Sequence, residues 1–162
     1  MIYYQYIQSP VGKLLITGNA EGLHHIGFPV SGNPSPPLPD WSAENHHALE
    51  EAVRQIALYF EGKLKQFSLK LCPHVTQFQK KVLTAVQEIP YGKTVSYGEL
   101  AKRIGKPGAS RAVGQANAKN PIPIVIPCHR VIGSNGNLTG FGGGLSVKQA
   151  LLELEHCQIC FR

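Results

Sequence analysis

The spacing of apolar residues changes along this chain, and that change restricts the fold more than any other feature. Up to residue 28, apolar and polar positions alternate through Ile2-Tyr3-Tyr4-Gln5-Tyr6-Ile7, Lys13-Leu14-Leu15-Ile16-Thr17 and Leu23-His24-His25-Ile26-Gly27-Phe28. A period of two in β-branched and aromatic residues marks strands. Turn signals at Ser9-Pro10-Val11-Gly12 and Gly18-Asn19-Ala20-Glu21-Gly22 separate them, so an antiparallel meander is expected. Residues 29–40 carry five prolines and form a loop. Helical spacing then takes over at 43–60, with Leu49, Val53, Ile56, Ala57 and Phe60 expected on the buried face. Phe67–Leu71 is a candidate returning strand, and Cys72-Pro73-His74 reads as a boundary. The expected domains are 1–73 and 74–162, in a mixed α/β chain.

Beyond that boundary the pattern is mostly helical. Thr76-Gln77-Phe78-Gln79 resembles a capping box and opens a helix to about Ile89, with Phe78, Val82, Ala85, Val86 and Ile89 inward. Pro90-Tyr91-Gly92 stops it. Ser96 caps a short helix with the stripe Tyr97, Leu100, Ala101 and Ile104. After the turn Gly105–Gly108, a further helix starts near Ala109-Ser110, with Ala109, Ala112, Val113 and Ala116 expected inward. The two short helices and their glycine turn form a helix-turn-helix candidate. The outer face of the second carries Arg111, Gln115 and Lys119 at four-residue steps, among the small residues Ala112, Gly114, Ala116 and Ala118. Small side chains admit a close partner backbone, and Arg and Lys supply phosphate contacts.

Charge follows the same division. Residues 1–74 hold five Lys/Arg against six Asp/Glu, whereas residues 75–162 hold 11 against four, which places the net +6 in the second half. A basic helical half fits a phosphate-contacting module, and also fits an ordinary basic surface. No apolar run approaches the roughly 20 residues a membrane helix requires. The N-terminus lacks the charged leader and apolar core of a signal peptide, so an intracellular, cytoplasmic protein is expected. The four cysteines, Cys72, Cys128, Cys157 and Cys160, do not form a disulfide framework in such a chain. Cys157 and Cys160 make a lone CxxC beside His156, without a second pair. His24-His25 and His46-His47 read as surface or packing histidines.

Chemistry concentrates in Asn120-Pro-Ile-Pro-Ile-Val-Ile-Pro-Cys-His-Arg-Val-Ile132. Three prolines forbid a helix there, and an extended, rigid path to Cys128 is expected. An imidazole and a guanidinium beside a thiol favour the nucleophilic thiolate. Neighbours on an extended chain point to opposite sides, so coupling Cys128 to His129 requires a turn or a bridging water.

Pro127-Cys128-His129-Arg130, between Ile126 and Val131, resembles the active-site signature of the methylated-DNA–protein-cysteine methyltransferases, the O6-alkylguanine-DNA alkyltransferases. The likeness runs from about Phe78 to Glu155, through Val95-Ser-Tyr97, Ser110-Arg-Ala-Val-Gly114, Asn120-Pro121 and Gly142-Gly-Gly-Leu145. The resemblance implies a ribonuclease-H-like N-terminal unit and a winged-helix-like, helix-turn-helix C-terminal unit that enters the minor groove. It implies that Cys128 accepts the alkyl group from O6-alkylguanine, and from O4-alkylthymine, in double-stranded DNA. His129 would take the thiol proton through a water, oriented by Glu155. Tyr97 would crowd the target's 3′ phosphate and assist the leaving base, and Arg111 would fill the gap left by the flipped nucleotide. Asn120 would be the hinge. Ser96, Ala112, Gly114, Gln115, Lys119 and Arg130 would join the DNA surface. Pro123, Val131, Phe141, Gly142 and Gly143 would line the guanine pocket, with the loop 134–144 supplying backbone hydrogen bonds.

The resemblance also implies single turnover, no cofactor and a monomer. Family pockets often have tyrosine and serine where this chain has Phe141 and Gly142, which bears on the preference among alkyl groups. Some members hold a structural zinc through N-terminal cysteines; none precedes Cys72, so no metal is expected. Three other readings remain distinguishable. A lesion-flagging, non-enzymatic relative would lack the acceptor cysteine. A cysteine hydrolase using Cys128, His129 and Glu155 would turn over repeatedly. A winged-helix regulator would prefer a DNA sequence and would not need Cys128.

Overall fold

The computed structural model describes residues 1–43, 47–133 and 144–155, and it divides into two compact units, Met1–His74 and Val75–Arg162. The first is a sheet with a helix and the second is mostly helical, the mixed α/β class that the change of period implies.

In the first unit, β1 (Tyr3–Ser9), β2 (Gly12–Asn19) and β3 (Gly22–Gly27) pair antiparallel in the order β1-β2-β3. Tyr6 faces Leu15 across the first pair and Ile16 faces Ile26 across the second, with an irregularity between Thr17 and Gly18. Leu14, Leu15 and Ile16 are all buried, so β2 is covered on both faces instead of alternating. Helix α1 (His47–Phe60) supplies Leu49, Ala52, Ile56 and Tyr59 to the core. That stripe differs from the expected one: Ala57 is exposed, while Ala52 and Tyr59 are buried. The 3.6-residue period admits either face, and the fully buried Tyr59, edge-on to Phe60 at 5.3 Å, decides between them.

The expected strand Phe67–Leu71 is reduced to one parallel bridge, Leu71 to Leu23. The Leu23 N–H donates to the Lys70 carbonyl at 2.9 Å, and the Cys72 N–H donates to the Leu23 carbonyl at 2.8 Å. Gly22 makes this approach possible, because it sits at φ +143° and a Cβ there would lie 2.8 Å from the Lys70 oxygen.

In the second unit, helix α2 (Gln77–Gln87) opens on a complete capping box. Thr76 Oγ1 accepts from the Gln79 N–H at 3.2 Å, and Gln79 Oε1 accepts from the Thr76 N–H at 3.0 Å. Ser96 caps α3 (Tyr97–Arg103) by accepting from the Glu99 N–H at 3.1 Å. Gly105 turns the chain at φ +77°, and α4 (Ser110–Ala118) follows, completing the helix-turn-helix. Strand β4 (Val95–Ser96) pairs parallel with β5 (Val131–Ile132), and α5 (Leu145–Leu154) ends with Glu155 as its C-cap. Val82, Val86, Leu100, Val113, Ile122, Val131, Leu151 and Leu152 form the core of this unit. Among the described residues, no helix is long and apolar enough to cross a membrane.

Candidate active site

The proline-laced segment is not an extended path. The Ile126 N–H donates to the Ile122 carbonyl at 2.9 Å, Pro123 bridges to Ile126, and Ile124 stands at φ +75°. Cys128, His129 and Arg130 then form one 3-10 turn. Proline excludes the helix but leaves turns open, and two asparagines stabilise this one. Asn120 Oδ1 accepts from the Ile122 N–H at 3.0 Å, and its Nδ2 donates to the Ile126 carbonyl at 2.8 Å. Asn117, wholly buried on α4, donates to the Cys128 carbonyl at 3.1 Å. A β-branched residue in the left-handed region costs about 1–3 kcal/mol and persists only where its surroundings enforce it, as happens at functional sites.

The turn sends three consecutive side chains into the interior, with Cys128 3%, His129 0% and Arg130 6% exposed. Glu155, itself buried, is the shared partner of His129 and Arg130. His129 Nε2 lies 2.6 Å from Glu155 Oε2, and Arg130 donates to both carboxylate oxygens at 2.8 and 3.1 Å. Arg130 also donates to the Ile89 carbonyl at 2.7 Å and lies 5.7 Å from the Tyr91 ring centroid. The Gly92 N–H donates to Glu155 Oε1 at 3.4 Å, from a glycine at φ +80°. Burial alone would push the Glu155 carboxyl up, but hydrogen bonds and charges from His129 and Arg130 outweigh it and hold it down at about 2.

Burial pushes the His129 imidazole below its ordinary value, against the pull of Glu155. The ring is then neutral at pH 7, with Nε2–H donating to the carboxylate and Nδ1 left as an acceptor. Among the described residues, that Nδ1 has no hydrogen-bond partner. A neutral imidazole held at one nitrogen with the other available is a general base.

The thiol needs one. Burial pushes Cys128 up to about 11, against the opposing pull of a hydrogen bond from Asn120, the Lys148 ammonium and nearby backbone N–H groups. Arg130 does not supply the expected help, because its guanidinium is committed to Glu155 and Ile89. The same commitment corrects its expected place on a DNA surface: a buried guanidinium with three hydrogen bonds, to Glu155 and the Ile89 carbonyl, is not available to a phosphate.

The cation that does act on Cys128 is Lys148 of α5, 0% exposed, which the sequence reading passed over. Its ammonium donates to the Val131 carbonyl at 2.6 Å and lies 6.0 Å from the Tyr97 ring centroid. Burial lowers it to about 8. Lysine at a helical position ordinarily faces water, so its helical spacing is only a weak sign of burial. Asn117 was missed for a similar reason.

The remaining expected residues divide clearly. On α4, Arg111, Gln115 and Lys119 are exposed and Gly114 is half-buried against Tyr97, whose ring a Cβ would meet at 3.6 Å. Ala112, expected inward, is exposed, so it belongs to the outer face with Arg111. Ser96 is half-buried and engaged as the cap of α3. Pro123 and Val131 are buried beside the turn. Phe141, Gly142, Gly143, the loop 134–143, His46, His156, Cys157 and Cys160 lie outside the described residues.

Similarity to known proteins covers both units. Residues 2–73 match the 6-O-methylguanine DNA methyltransferase ribonuclease-like domain, and residues 77–157 match the DNA binding domain of the same family. The methylated-DNA–protein-cysteine methyltransferase of Methanosarcina acetivorans is 52% identical over 154 residues, covering 95% of this chain and 98% of the relative. That of Mycobacterium leprae is 46% identical over 159 residues, covering 98% of this chain and 95% of the relative. The crystal structure of Mycobacterium tuberculosis O6-methylguanine methyltransferase superposes with a TM-score of 0.87 at 44% identity, covering 100% of this chain and 97% of that one. The structure of Mycobacterium tuberculosis OGT in complex with DNA gives 0.86 at 45% identity, covering 95% and 92%. A buried cysteine, a histidine held by a carboxylate and a basic helix-turn-helix thus sit in a chain that aligns nearly end to end with these relatives, and the chain belongs to the 6-O-methylguanine DNA methyltransferase family.

Proposed function

We propose that this protein repairs DNA by moving the alkyl group of O6-alkylguanine onto Cys128 in a single, irreversible turnover. The observation that carries the reading is the Cys128–His129–Arg130 turn, which buries a thiol beside an imidazole whose Nε2 is held 2.6 Å from Glu155 and whose Nδ1 has no partner among the described residues. The names of the relatives, and the DNA bound to Mycobacterium tuberculosis OGT, support DNA as the partner.

The alkyl carbon is hidden in the duplex, so the nucleotide must rotate out at a cost of a few kcal/mol. The exposed face of α4, with Arg111, Ala112, Gln115 and Lys119, offers small residues for close approach and cations for phosphates. Arg111 fills the vacated position in the stack. With the base seated, His129 Nδ1 takes the thiol proton through a water while Glu155 stabilises the imidazolium formed. The thiolate attacks the alkyl carbon, the S–C bond forms, the C–O6 bond breaks, and the guanine leaves as an anion that takes a proton from its surroundings. Tyr97, half-buried beside Gly114, serves as a donor near the leaving base. Asn120 holds the turn that presents Cys128. Pro123 and Val131 line the base pocket. A thioether has no ready exit, so each molecule acts once. One acceptor in one chain makes a monomer sufficient, and the cytoplasm gives it access to DNA.

The test is direct. Incubation with a duplex containing one O6-methylguanine is expected to add one methyl mass to the protein, saturating at one per chain and mapping to Cys128. Cys128→Ala abolishes it. Continued turnover, or a mass gain elsewhere, overturns the reading. Tight lesion binding without transfer would assign the chain to damage flagging instead.

Arg111 gives a second test. Its side chain is exposed, so Arg111→Ala is expected to change stability by less than about 0.5 kcal/mol. Transfer from duplex DNA is expected to fall by about 10–100-fold, the equivalent of 1–3 kcal/mol of lost flipping support. Transfer from the free O6-alkylguanine base, which needs no flipping, is expected to stay within about twofold on the same argument. Equal losses on both substrates would place Arg111 in the chemistry instead.

A further inference from the structure

Asn117 brings an unpaired polar atom to the neighbourhood of the acceptor. It stands on α4, only 1% exposed, and its amide donates to the Cys128 carbonyl at 3.1 Å. A carbonyl only accepts, so the atom facing it is Nδ2 and Oδ1 is turned away. Among the described residues, that Oδ1 is buried with no hydrogen-bond partner. Leaving a buried acceptor unpaired is costly, and an apolar side chain of similar size would avoid the cost. The turn does not depend on the amide, because the Val131 N–H also donates to the Cys128 carbonyl. Among the described residues of this unit, the other such atom is His129 Nδ1. The two flank one peptide: Asn117 contacts its carbonyl, and the His129 ring hangs from its nitrogen side.

We propose that Asn117 is a positioning residue for the transfer, its Oδ1 anchoring the water through which His129 takes the Cys128 proton. The inference rests on the proposed single-turnover transfer to Cys128 and adds the residue that holds its relay in place. A relay water accepts from the thiol and donates one hydrogen to Nδ1, which leaves its second hydrogen in a buried site. Buried waters typically make about three hydrogen bonds, and Asn117 Oδ1 supplies the third. The proton count balances: the thiol proton passes to the water oxygen as a water hydrogen passes to Nδ1, leaving a thiolate, an imidazolium and one water. The bond to Asn117 persists throughout, and its carbonyl dipole favours the positive charge that crosses the water. Asn117 itself does not titrate. The ionisable groups around the relay are Cys128, His129, Arg130, Glu155 and Lys148, and a change at Asn117 leaves all of them in place.

The experiment measures single-turnover methyl transfer to the full-length protein from duplex DNA containing one O6-methylguanine, over a range of DNA concentration and of pH from about 6.5 to about 9.5, toward the thiol's own titration. Asn117→Leu removes both amide atoms at similar size. Its Tm is expected to stay within about 5 °C of wild type, because the Val131 N–H still fills the Cys128 carbonyl. The half-saturating DNA concentration is expected to stay within about twofold, while the limiting rate at pH 7 falls about 10–100-fold. The gap to wild type then narrows as pH rises, because a thiol that ionises directly needs no relay and its thiolate fraction grows about tenfold per pH unit. Asn117→Ala carries the same expectation and keeps the test decisive if the leucine variant folds poorly. A wild-type rate in the variant, a loss that is the same at every pH, or a loss confined to the half-saturating concentration would each overturn the role of Asn117 and leave transfer to Cys128 standing. A wild-type protein that accepts no methyl would overturn the transfer itself, and this inference with it.

Discussion

Replacing Glu155 with alanine is expected to lower the free energy of unfolding by about 3–5 kcal/mol, because it leaves the buried Arg130 guanidinium without its carboxylate. The Ile89 carbonyl still accepts one hydrogen bond from Arg130, but a neutral carbonyl does not compensate a buried charge. The same substitution releases His129 from the group that fixes its orientation and tautomer, so transfer is expected to slow by about 100-fold or more. The pH dependence identifies the cause. The folded carboxyl sits at about 2, below its ordinary 4.5, so its stabilisation is fully present above pH 4.5 and is lost as pH falls toward 2. Urea unfolding of wild type and Glu155→Ala at several pH values is therefore expected to show a gap that is widest near neutrality and narrows below pH 4.5. Glu155→Gln keeps the shape without the charge, and it is expected to lose most of the transfer rate while remaining folded. A constant gap across this range would mean that packing, not the ionised carboxylate, is what alanine removes.

What the sequence exposes and what it hides follow from how far each interaction reaches along the chain. The Thr76–Gln79 box and the Ser96 cap join residues three apart, and both stand where the pattern places them. The meander was legible because its strands are joined by short turns. The burial of Ala52 and Tyr59 in place of Ala57 depends on what packs against α1, which a helical period does not specify. The segment before Cys128 was misread because proline signals the absence of a helix but says nothing about whether Asn120 will close a turn. Arg130 reads as a phosphate ligand until Glu155, 25 residues later, is seen to hold it. Asn117 and Lys148 look like surface residues because their carbonyl partners, on Cys128 and Val131, are invisible in a linear pattern. The signal available for Lys148 was weak but physical: it lies three residues before Leu151 on an amphipathic helix that ends at Glu155, so it shares that helix's inner face.

Lys148 also combines the two demands on this site in one side chain. Burial lowers its ammonium from 10.5 to about 8, so at pH 7 the folded protein carries a desolvated charge that donates to the Val131 carbonyl beside the Tyr97 ring. The shift corresponds to a cost of about 3 kcal/mol, set against about 1 kcal/mol for the hydrogen bond to the Val131 carbonyl. Lys148→Met is therefore expected to leave the stability at pH 7 unchanged or to raise it by about 1–3 kcal/mol. The pH dependence has the same sign as that of Glu155, because both folded values are depressed, but here it is the charged form that folding penalises. Between pH 8 and 10.5 the unfolded chain holds the lysine proton that the folded one has released, so this residue makes wild-type stability rise across that window, and the variant lacks that rise. Transfer is expected to move the other way. The ammonium is one of the groups that pull the buried thiol down from about 11, and each further unit the thiol rises removes about tenfold of its thiolate, so the methionine variant is expected to transfer about 10–100-fold more slowly. A more stable protein that repairs more slowly would mean that the buried cation is retained for the chemistry. A variant that transfers at the wild-type rate would remove Lys148 from the mechanism and leave His129 and Glu155 to activate Cys128 alone.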